Sequence, residues 1–282
     1  MTFSYYPGCS LHGTSKEYDA STLAVCEALG IELRELPDWV CCGASSGHSL
    51  DEILNIGLPA HTLKLAEQQG LDVAVPCAAC YNRLKVAEHA IKEKESVREK
   101  MADLLEHDFQ GSVAVLNLLE LFRDRIGLEA IKARVTKPLT GLKVVCYYGC
   151  LLVRPAEVTC FDDPDHPVSM DAILKTAGAG VLNWSYKTEC CGGSLSLTRD
   201  DIVYSLVDGI VEMAREAGAE AIVTACPLCL ENLEMRQSRR TTPVFYFTEL
   251  LGLAFGLSEV EHWLKRHLID STPLLKKIRL LG

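Results

Sequence analysis

Ten of the thirteen cysteines in this 282-residue chain form one five-member pattern that occurs twice. Each copy has a single cysteine, then an adjacent pair followed by glycine, then a Cys-x-x-Cys. The pair and the Cys-x-x-Cys are separated by 34 residues in both copies, at positions 43–76 and 192–225. This repetition indicates that each half of the chain encloses a metal centre. The two sets are Cys9, Cys41, Cys42, Cys77 and Cys80, and Cys150, Cys190, Cys191, Cys226 and Cys229.

The number and type of these side chains narrow the choice of metal. A Cys-x-x-Cys alone is compatible with zinc, with a redox-active dithiol or with an iron–sulfur cluster. Structural zinc is closed by four ligands, so a fifth thiolate, without histidine among the obvious ligands, favours iron with sulfide. Adjacent cysteines point apart in an extended chain and converge only where the backbone bends, which Gly43 and Gly192 permit. Five thiolates on one cluster predict an open or non-cubane cluster in which one sulfur bridges irons.

Short apolar runs alternate with segments of helical periodicity along the whole chain, which is typical of right-handed βαβ units with parallel strands. We therefore predict an α/β fold of two related lobes with parallel βαβ sheets, produced by internal duplication. Residues 1–136 form the first predicted lobe and residues 141–282 the second. The cysteines follow predicted strands, at the carboxyl edge where such sheets bind ligands. The predicted strands are residues 3–6, 31–36, 72–75, 113–116, 142–147, 181–184, 220–225 and 243–246, and the predicted helices are 14–29, 50–69, 168–178, 199–217, 227–236 and one from residue 78 onward.

The first half is longer than the second between its Cys-x-x-Cys and the apolar, acidic helix that ends the half. The extra length falls in a charged stretch, roughly residues 85–107. We interpret this stretch as an extended helix or a helical hairpin that projects from the body into solvent.

Composition and charge exclude several classes of function. The formal net charge is −10 and no basic stripe offsets it, so nucleic-acid binding is not expected. No apolar run reaches the ~18 residues that span a bilayer, and the N-terminus lacks the basic and apolar regions of a signal peptide. We therefore expect a cytoplasmic protein whose thiols stay reduced. No G-x-G-x-x-G follows a strand, so we predict that the chain binds no flavin or nicotinamide and receives electrons from another protein.

The duplicated pattern resembles the cysteine-rich CCG domain family, and the whole chain resembles the catalytic B subunits of heterodisulfide reductases. The resemblance rests on all ten cysteine positions and on Cys-Cys-Gly at 41–43 and 190–192. It implies one non-cubane [4Fe-4S] cluster in each half, held by the ten cysteines, with a small-molecule disulfide of the coenzyme M–coenzyme B type bound between them. Reduction of the disulfide takes two electrons, one from each cluster, and yields two thiols. The resemblance also implies two partners in the same complex, namely a ferredoxin-like iron–sulfur protein (C) and a flavin-bearing protein (A).

Disulfide substrates of this class carry anionic groups, so cationic side chains near the cysteines are candidates for binding them. His12 and Lys187 each lie three residues from a cysteine of the pattern. His48 and Arg199 are further candidates, and each of the four is also compatible with a structural role.

Three cysteines lie outside the pattern. Cys26 falls within a predicted amphipathic helix and Cys146 within an apolar strand. Free cysteine behaves as a small hydrophobic side chain, so we predict that both pack in the core. Cys160, in an acidic segment, is compatible with either a reactive or a buried thiol.

Two other functions are consistent with the same cysteines. Members of the same broad family serve as electron-transfer subunits of lactate, glycolate or glycerol-phosphate dehydrogenases and of quinone-linked complexes. Several of those carry an additional ferredoxin-like C-x2-C-x2-C-x3-C-P run, which this sequence lacks, and that difference favours the disulfide-reducing role. The third hypothesis is a zinc-binding scaffold, which stoichiometric zinc without iron or labile sulfide would support.

Overall fold

The computed structural model describes residues 1–44 and 47–282 and contains two four-stranded sheets in which every strand pair is parallel. The predicted α/β fold is confirmed, and all eight predicted strands are present. The first sheet contains β1 (Thr2–Tyr5), β2 (Glu32–Glu35), β3 (Val73–Val75) and β4 (Val115–Asn117), and the second contains β5 (Lys143–Tyr147), β6 (Gly180–Val181), β7 (Ala221–Thr224) and β8 (Val244–Tyr246). The strand order is β2-β1-β3-β4 in the first sheet and β6-β5-β7-β8 in the second, so the two arrangements are equivalent.

Helices connect the strands in both halves. Those of the first half are α1 (Gly8–His12), α2 (Lys16–Ala28), α3 (Gly47–Leu50), α4 (Glu52–Gln69), α5 (Ala78–Glu93), α6 (Glu95–Leu105), α7 (Leu118–Glu120) and α8 (Leu128–Arg134), with a π-helical segment at Leu121–Ile126. Those of the second half are α9 (Ala156–Thr159), α10 (Ser169–Thr176), α11 (Asp200–Glu216), α12 (Pro227–Met235), α13 (Phe247–Phe255), α14 (Val260–Leu264) and α15 (Thr272–Lys277), with a 3-10 turn at Gly193–Leu195. Within the described ranges, none of these helices has the length and apolar character needed to cross a membrane.

Local sequence explains where the longest helix begins and ends. The Asp51 carboxylate accepts a hydrogen bond from the Ile53 N–H at 2.6 Å, which satisfies a backbone donor at the beginning of α4. The helix ends at Gly70, whose left-handed φ of +67° suits a residue without a Cβ.

Both sheets have a topological switch point beside their first strand. The chain passes from β1 to β2 on one side and then returns to β3 on the other side of β1. The second half repeats this path with β5, β6 and β7. At such a point the connections leave the carboxyl ends of neighbouring strands in opposite directions, and a crevice opens between them. The segments that follow β1 and β3, and those that follow β5 and β7, therefore face a crevice.

The charged stretch of the first half folds as α5 and α6, which meet at Lys94. The predicted helical hairpin is confirmed, but the predicted projection from the body is wrong. Met101 of α6 is buried, and Lys64 of α4 donates a hydrogen bond to the Leu105 carbonyl at 2.8 Å. Helix α6 therefore packs on α4 through these residues, while its charged side chains and Leu104 face solvent.

The two halves interlock through their helices. Helix α2 of the first half packs against α13 of the second, and α10 of the second packs against α7 and α8 of the first. At the first of these contacts the Ser21 and Thr248 hydroxyls are 2.7 Å apart, and the Tyr18 and Tyr246 rings stack with centroids separated by 4.0 Å. The lobe boundaries at residues 136 and 141 stay a prediction.

A buried histidine between two glutamates ties α12 and α13 to the chain that follows α14. His267 Nδ1 lies 2.8 Å from the Glu234 carboxylate, and Nε2 lies 2.9 Å from that of Glu249. The His267 side chain is only 2 % exposed. Burial alone would lower the pKa of His267, but the charges of Glu249 and Glu234 and their hydrogen bonds raise it to about 11.

We expect the stabilisation by His267 to depend on pH. The folded-state pKa exceeds the ordinary value of about 6.5, so the stabilisation is fully present below that pH and is lost as the pH rises through about 11. His267→Gln should lower the free energy of unfolding more at about pH 6 than at about pH 10, measured by anaerobic urea unfolding. The exposed His262 supplies the matched control, since His262→Gln should have little effect at either pH. A His267 effect that grows with pH would contradict this account.

Candidate metal centre

All ten cysteines of the repeated pattern lie at the carboxyl edges of the two sheets. In the first half, Cys9 lies in α1 directly after β1, the pair lies in the loop after β2, and Cys77 lies between β3 and α5. The second half repeats this arrangement, with Cys150 after β5, the pair in the loop after β6, and Cys226 between β7 and α12. The switch-point crevices thus bring together residues that are far apart in the sequence.

In the first half three of the five thiols are buried and form the base of the set, and the other two are exposed. The Sγ atoms of Cys42 and Cys80 are 3.3 Å apart, and those of Cys9 and Cys41 are 4.0 Å apart. Cys9 and Cys41 are exposed, whereas Cys42, Cys77 and Cys80 are buried. The exposed pair marks the side from which a small molecule can approach.

The second half has the same arrangement. The Sγ atoms of Cys191 and Cys229 are 3.9 Å apart, and the thiols of Cys150 and Cys190 are close enough for each to shift the pKa of the other. Cys190 is exposed and Cys150 is half-buried, whereas Cys191, Cys226 and Cys229 are buried. Each half therefore offers three buried thiols and two at the surface.

The donor set fits an iron–sulfur cluster. Each half offers five thiols, and thiolates are the usual ligands of such clusters. A Cβ at Gly8 would lie 2.9 Å from Cys80 Sγ, and a Cβ at Gly149 would lie 3.0 Å from Cys229 Sγ. These equivalent glycines, with left-handed φ of +71° and +67°, keep the backbone close to the sulfur atoms. In residues 1–44 and 47–282, no three His, Cys, Asp or Glu side chains are arranged to hold a single metal ion.

Equivalent tyrosines hold the loop of each cysteine pair. Each lies three residues before the first cysteine of its set. The Tyr6 hydroxyl donates to the Val40 carbonyl at 2.7 Å, and the Tyr147 hydroxyl donates to the Glu189 carbonyl at 2.6 Å. Val40 and Glu189 directly precede the two pairs. Burial raises the pKa of both tyrosines far above the usual range, so both remain neutral donors.

The two five-thiol sets adjoin each other at a junction formed by Tyr18. The Tyr18 hydroxyl lies 3.3 Å from the Pro76 carbonyl and 3.1 Å from the Ala225 carbonyl. These residues directly precede Cys77 and Cys226, whose thiols are close enough for each to shift the pKa of the other. The two sets therefore meet at one place between the halves.

Each Cys-x-x-Cys helix also contacts the opposite half. Asn82 of α5 donates from Nδ2 to the Leu151 carbonyl at 3.2 Å and to the Arg154 carbonyl at 2.8 Å, in the loop that follows Cys150. Glu231 of α12 is at the equivalent position and accepts a hydrogen bond from the Ser15 hydroxyl at 2.7 Å. These contacts join each Cys-x-x-Cys helix to the other half of the chain.

Hydrogen bonds at the junction favour thiolate at one of its cysteines. The Cys229 and Cys77 thiols and the backbone N–H groups of Cys229 and Ala78 hold the pKa of Cys226 well below its usual range. Ala78 is the first residue of α5, so a helix N-terminus of one half points at a sulfur of the other. Thiolate is the form of cysteine that binds metal.

The cationic candidates of the second half already have carboxylate partners. Lys187 is buried, and its Nζ lies 2.8 Å from the Asp171 carboxylate. Arg199 is exposed and pairs with Asp201 at 2.8 Å. This geometry gives Lys187 a structural role in the loop before the second cysteine pair, because its ammonium group is paired away from solvent.

The two histidine candidates lie in the first half. His12 Nε2 lies 3.3 Å from the Glu35 carboxylate, and its ring packs edge-on against Trp39 at a centroid distance of 5.2 Å. His48 Nδ1 lies 3.4 Å from the carbonyl of Gly43, the residue that follows the first cysteine pair. Both histidines are therefore near the first set, and their contact with a substrate stays a prediction.

Sequence reasoning does not single out Arg83 and Asn232, which both lie three residues after the second cysteine of a Cys-x-x-Cys. One helical turn places each of them on the same face as that cysteine. Asn232 donates to the Cys191 carbonyl at 2.7 Å, and Arg83 donates to the side chains of Asn55 and Asn82 at 2.8 and 3.1 Å. Their equal spacing from the motif is the signal that identifies them.

The cysteines outside the pattern behave as ordinary side chains. Cys26 and Cys146 are buried, which confirms the prediction of core packing, and burial raises the pKa of Cys26 to about 12. Cys160 is exposed, and its thiol donates to the Glu157 carbonyl at 3.3 Å.

Comparison with known proteins relates this geometry to a family. The sequence pattern of the CCG cysteine-rich domain matches residues 3–85 and, separately, residues 144–234. The chain belongs to the CCG cysteine-rich domain family. Each match contains one complete five-cysteine set, so the predicted membership of this family is confirmed.

The chain is similar over nearly its whole length to proteins named as reductase subunits and to a lactate utilization protein. The chain is 32 % identical over 282 residues to the 8-methylmenaquinol:fumarate reductase membrane anchor subunit of Wolinella succinogenes, covering 96 % of this chain and 98 % of that protein. It is 26 % identical over 289 residues to the B subunit of the ferredoxin/F420H2-dependent CoB-CoM heterodisulfide reductase of Methanosarcina acetivorans, covering 98 % and 96 %. It is 24 % identical over 259 residues to lactate utilization protein A of Bacillus licheniformis, covering 89 % and 99 %.

One solved structure shares the fold. A hypothetical protein from Helicobacter pylori superimposes with a TM-score of 0.71 at 11 % sequence identity. The match covers 95 % of this chain and 52 % of that chain. At this level of identity the likeness supports the two-sheet α/β architecture alone.

We predict that Gly8 and Gly149, which lie against sulfur atoms of the two sets, are required for metal loading. In Gly8→Ala the new methyl group would meet Cys80 Sγ, and in Gly149→Ala it would meet Cys229 Sγ. Each variant should lose about half of the bound iron, because one set is distorted and the other is intact. Iron and labile sulfide counts on anaerobically purified protein measure the effect.

Two other glycines provide matched controls. Gly30 has the same φ as Gly8, +71°, and Gly70 has the same φ as Gly149, +67°, but nothing lies within 4 Å of an added Cβ at either position. Gly30→Ala and Gly70→Ala should cost about 1–2 kcal/mol of stability from backbone strain and keep full iron. Equal iron loss in all four variants would show that strain, and not crowding at sulfur, is responsible.

Proposed function

We propose that this chain is the two-cluster iron–sulfur subunit of a multi-subunit oxidoreductase and that it reduces a small-molecule disulfide held between the clusters. The observation that carries the proposal is the junction at Tyr18, where Cys77 and Cys226 adjoin. Reduction of a disulfide takes two electrons, and two adjoining one-electron centres offer both at one place. The ten cysteines of the repeated pattern are the proposed ligands, five for each non-cubane [4Fe-4S] cluster.

The protein groups have distinct proposed tasks. When bound, the clusters supply electrons one at a time and iron that stabilises a developing thiolate. The buried thiols and the tyrosines that hold the pair loops keep water from the base of each set. The exposed Cys9, Cys41 and Cys190 mark the side by which a substrate enters. Overall, two electrons and two protons are consumed, one S–S bond breaks and two thiols leave.

The electrons are proposed to come from partner proteins. Relatives from Methanosarcina are named as the B and D subunits of heterodisulfide reductases, which supports membership in a larger complex. In the proposed complex the immediate donor is a ferredoxin-like iron–sulfur protein, and a flavin-bearing protein supplies that donor, all in the cytoplasm. The chain itself is proposed to bind neither flavin nor nicotinamide.

Electron exchange with a quinol is a second candidate function. The relative with 32 % identity is named for 8-methylmenaquinol and fumarate. Apolar side chains are exposed directly beside cysteines of the pattern, with Val40 and Leu151 each 38 % and Leu228 37 % exposed. An apolar rim favours an apolar substrate over an anionic one, and Lys187 and Arg199 are already paired with carboxylates.

Metal analysis is the first experiment. Chain purified without oxygen should contain about eight irons and a similar amount of labile sulfide, as two four-iron clusters require. Stoichiometric zinc without iron or sulfide would contradict the proposal and support the zinc-binding scaffold.

Reoxidation of the loaded protein then separates the two redox candidates. Dithionite-reduced protein, freed of excess reductant, is mixed either with the coenzyme M–coenzyme B disulfide or with a water-soluble menaquinone analogue. Release of two thiols per disulfide would support the proposed reaction. If the quinone analogue reoxidises the protein and the disulfide does not, the second candidate function is supported. Cys41→Ser should abolish the activity, while Cys160→Ser, at an exposed cysteine outside the pattern, should retain it.

A further inference from the structure

The two Cys-x-x-Cys helices differ at an equivalent position one helical turn after the motif. Arg83 and Asn232 both lie three residues after the second motif cysteine, on α5 and α12 respectively. Residues one turn apart share a helix face, so both side chains lie beside the thiols of their own half. The first half therefore has a guanidinium group where the second has a neutral amide.

The charge of Arg83 is not cancelled by a neighbouring carboxylate. Its Nη1 donates to Asn55 Oδ1 at 2.8 Å and its Nη2 to Asn82 Oδ1 at 3.1 Å, and both partners are neutral. Among the residues that the structure describes, no Asp or Glu oxygen lies within ion-pair distance of it. It lies one helical turn after Cys80, whose Sγ is 3.3 Å from that of Cys42.

At the position equivalent to Arg83 the second half has no positive charge. Asn232 donates to the Cys191 carbonyl at 2.7 Å and accepts from the Ser196 hydroxyl at 2.8 Å, so its amide is occupied by neutral groups. The Lys187 ammonium is paired with Asp171 and adds no net charge.

Charge near a cluster changes its reduction potential because the reduced cluster carries one more negative charge. A nearby cation stabilises the reduced state and raises the potential, and a nearby anion lowers it. Arg83 in the first half, whose equivalent in the second half is the neutral Asn232, therefore separates the two potentials.

We propose that the two metal centres are redox-inequivalent, and that Arg83 makes the centre of the first half the easier one to reduce. This inference rests on the proposed function, because it requires both five-thiol sets to hold clusters. Arg83 acts as a positioning and tuning residue, since its contacts are to the protein and not to a substrate. Electrons then collect first in the half that contains Cys9 and last in the half that contains Cys150.

A redox titration of anaerobically loaded protein, followed by electron paramagnetic resonance, tests this inference. The wild type should show two separate midpoint potentials. Arg83→Asn should lower the higher midpoint and leave the lower one in place, whereas Arg83→Lys should retain the wild-type value. Asn232→Arg should raise the lower midpoint, so the two substitutions narrow the separation from opposite sides.

The outcomes distinguish this inference from the proposed function. Wild-type protein without iron and sulfide would overturn the function itself, whereas two clusters with equal midpoints would overturn only the inequivalence. A shift of the lower midpoint in Arg83→Asn, or no shift at all, would also overturn it. Arg98→Asn removes an exposed cation of α6 and should move neither midpoint. If Arg83→Asn fails to hold iron, the titration of Asn232→Arg still tests the proposal. A lower midpoint that is unchanged in Asn232→Arg would overturn it.

Discussion

The hydroxyl of Tyr18 contacts the carbonyl groups that directly precede Cys77 and Cys226, and this contact brings the metal-binding edges of two separate sheets together. Each sheet supplies one switch-point crevice lined with five thiols. Without the junction, these would be two unrelated sites on one chain. Other contacts also join the two halves. Tyr18 stacks on Tyr246, and Asn82 and Glu231 each form a hydrogen bond with the opposite half.

The fold and the cysteine sets could be predicted from the sequence because their signals are local and repeated. Parallel strands covered on both faces are continuous apolar runs, as Val73–Val75 and Ala221–Thr224 show, and short runs of this kind alternate with helical periodicity. The duplication strengthened every assignment, since each element has an equivalent in the other half. The carboxyl-edge rule then placed cysteines that are far apart in the sequence in one crevice.

The polar surroundings of the site could not be predicted in the same way, because they depend on tertiary contacts. Lys187 has a suitable position in the sequence, but it is paired with Asp171, which lies on a different element. The charged helix α6 has the composition of a projecting segment, yet Met101 packs it against the body. Tyr6 and Tyr147 hold equivalent loops through side-chain contacts that neither periodicity nor composition indicates. Arg83 lies at a repeated spacing, although its chemistry differs from that of its equivalent.

The proposed function requires two clusters that face one another. The magnetic interaction between the clusters tests this arrangement most directly. Protein with one electron on each cluster should give an electron paramagnetic resonance spectrum that is split or broadened by coupling between the two spins. Removing one cluster, for example by Cys191→Ser, should leave the simpler spectrum of an isolated centre. A wild-type spectrum equal to the sum of two independent centres would contradict the shared junction, and with it the placement of a substrate between the halves.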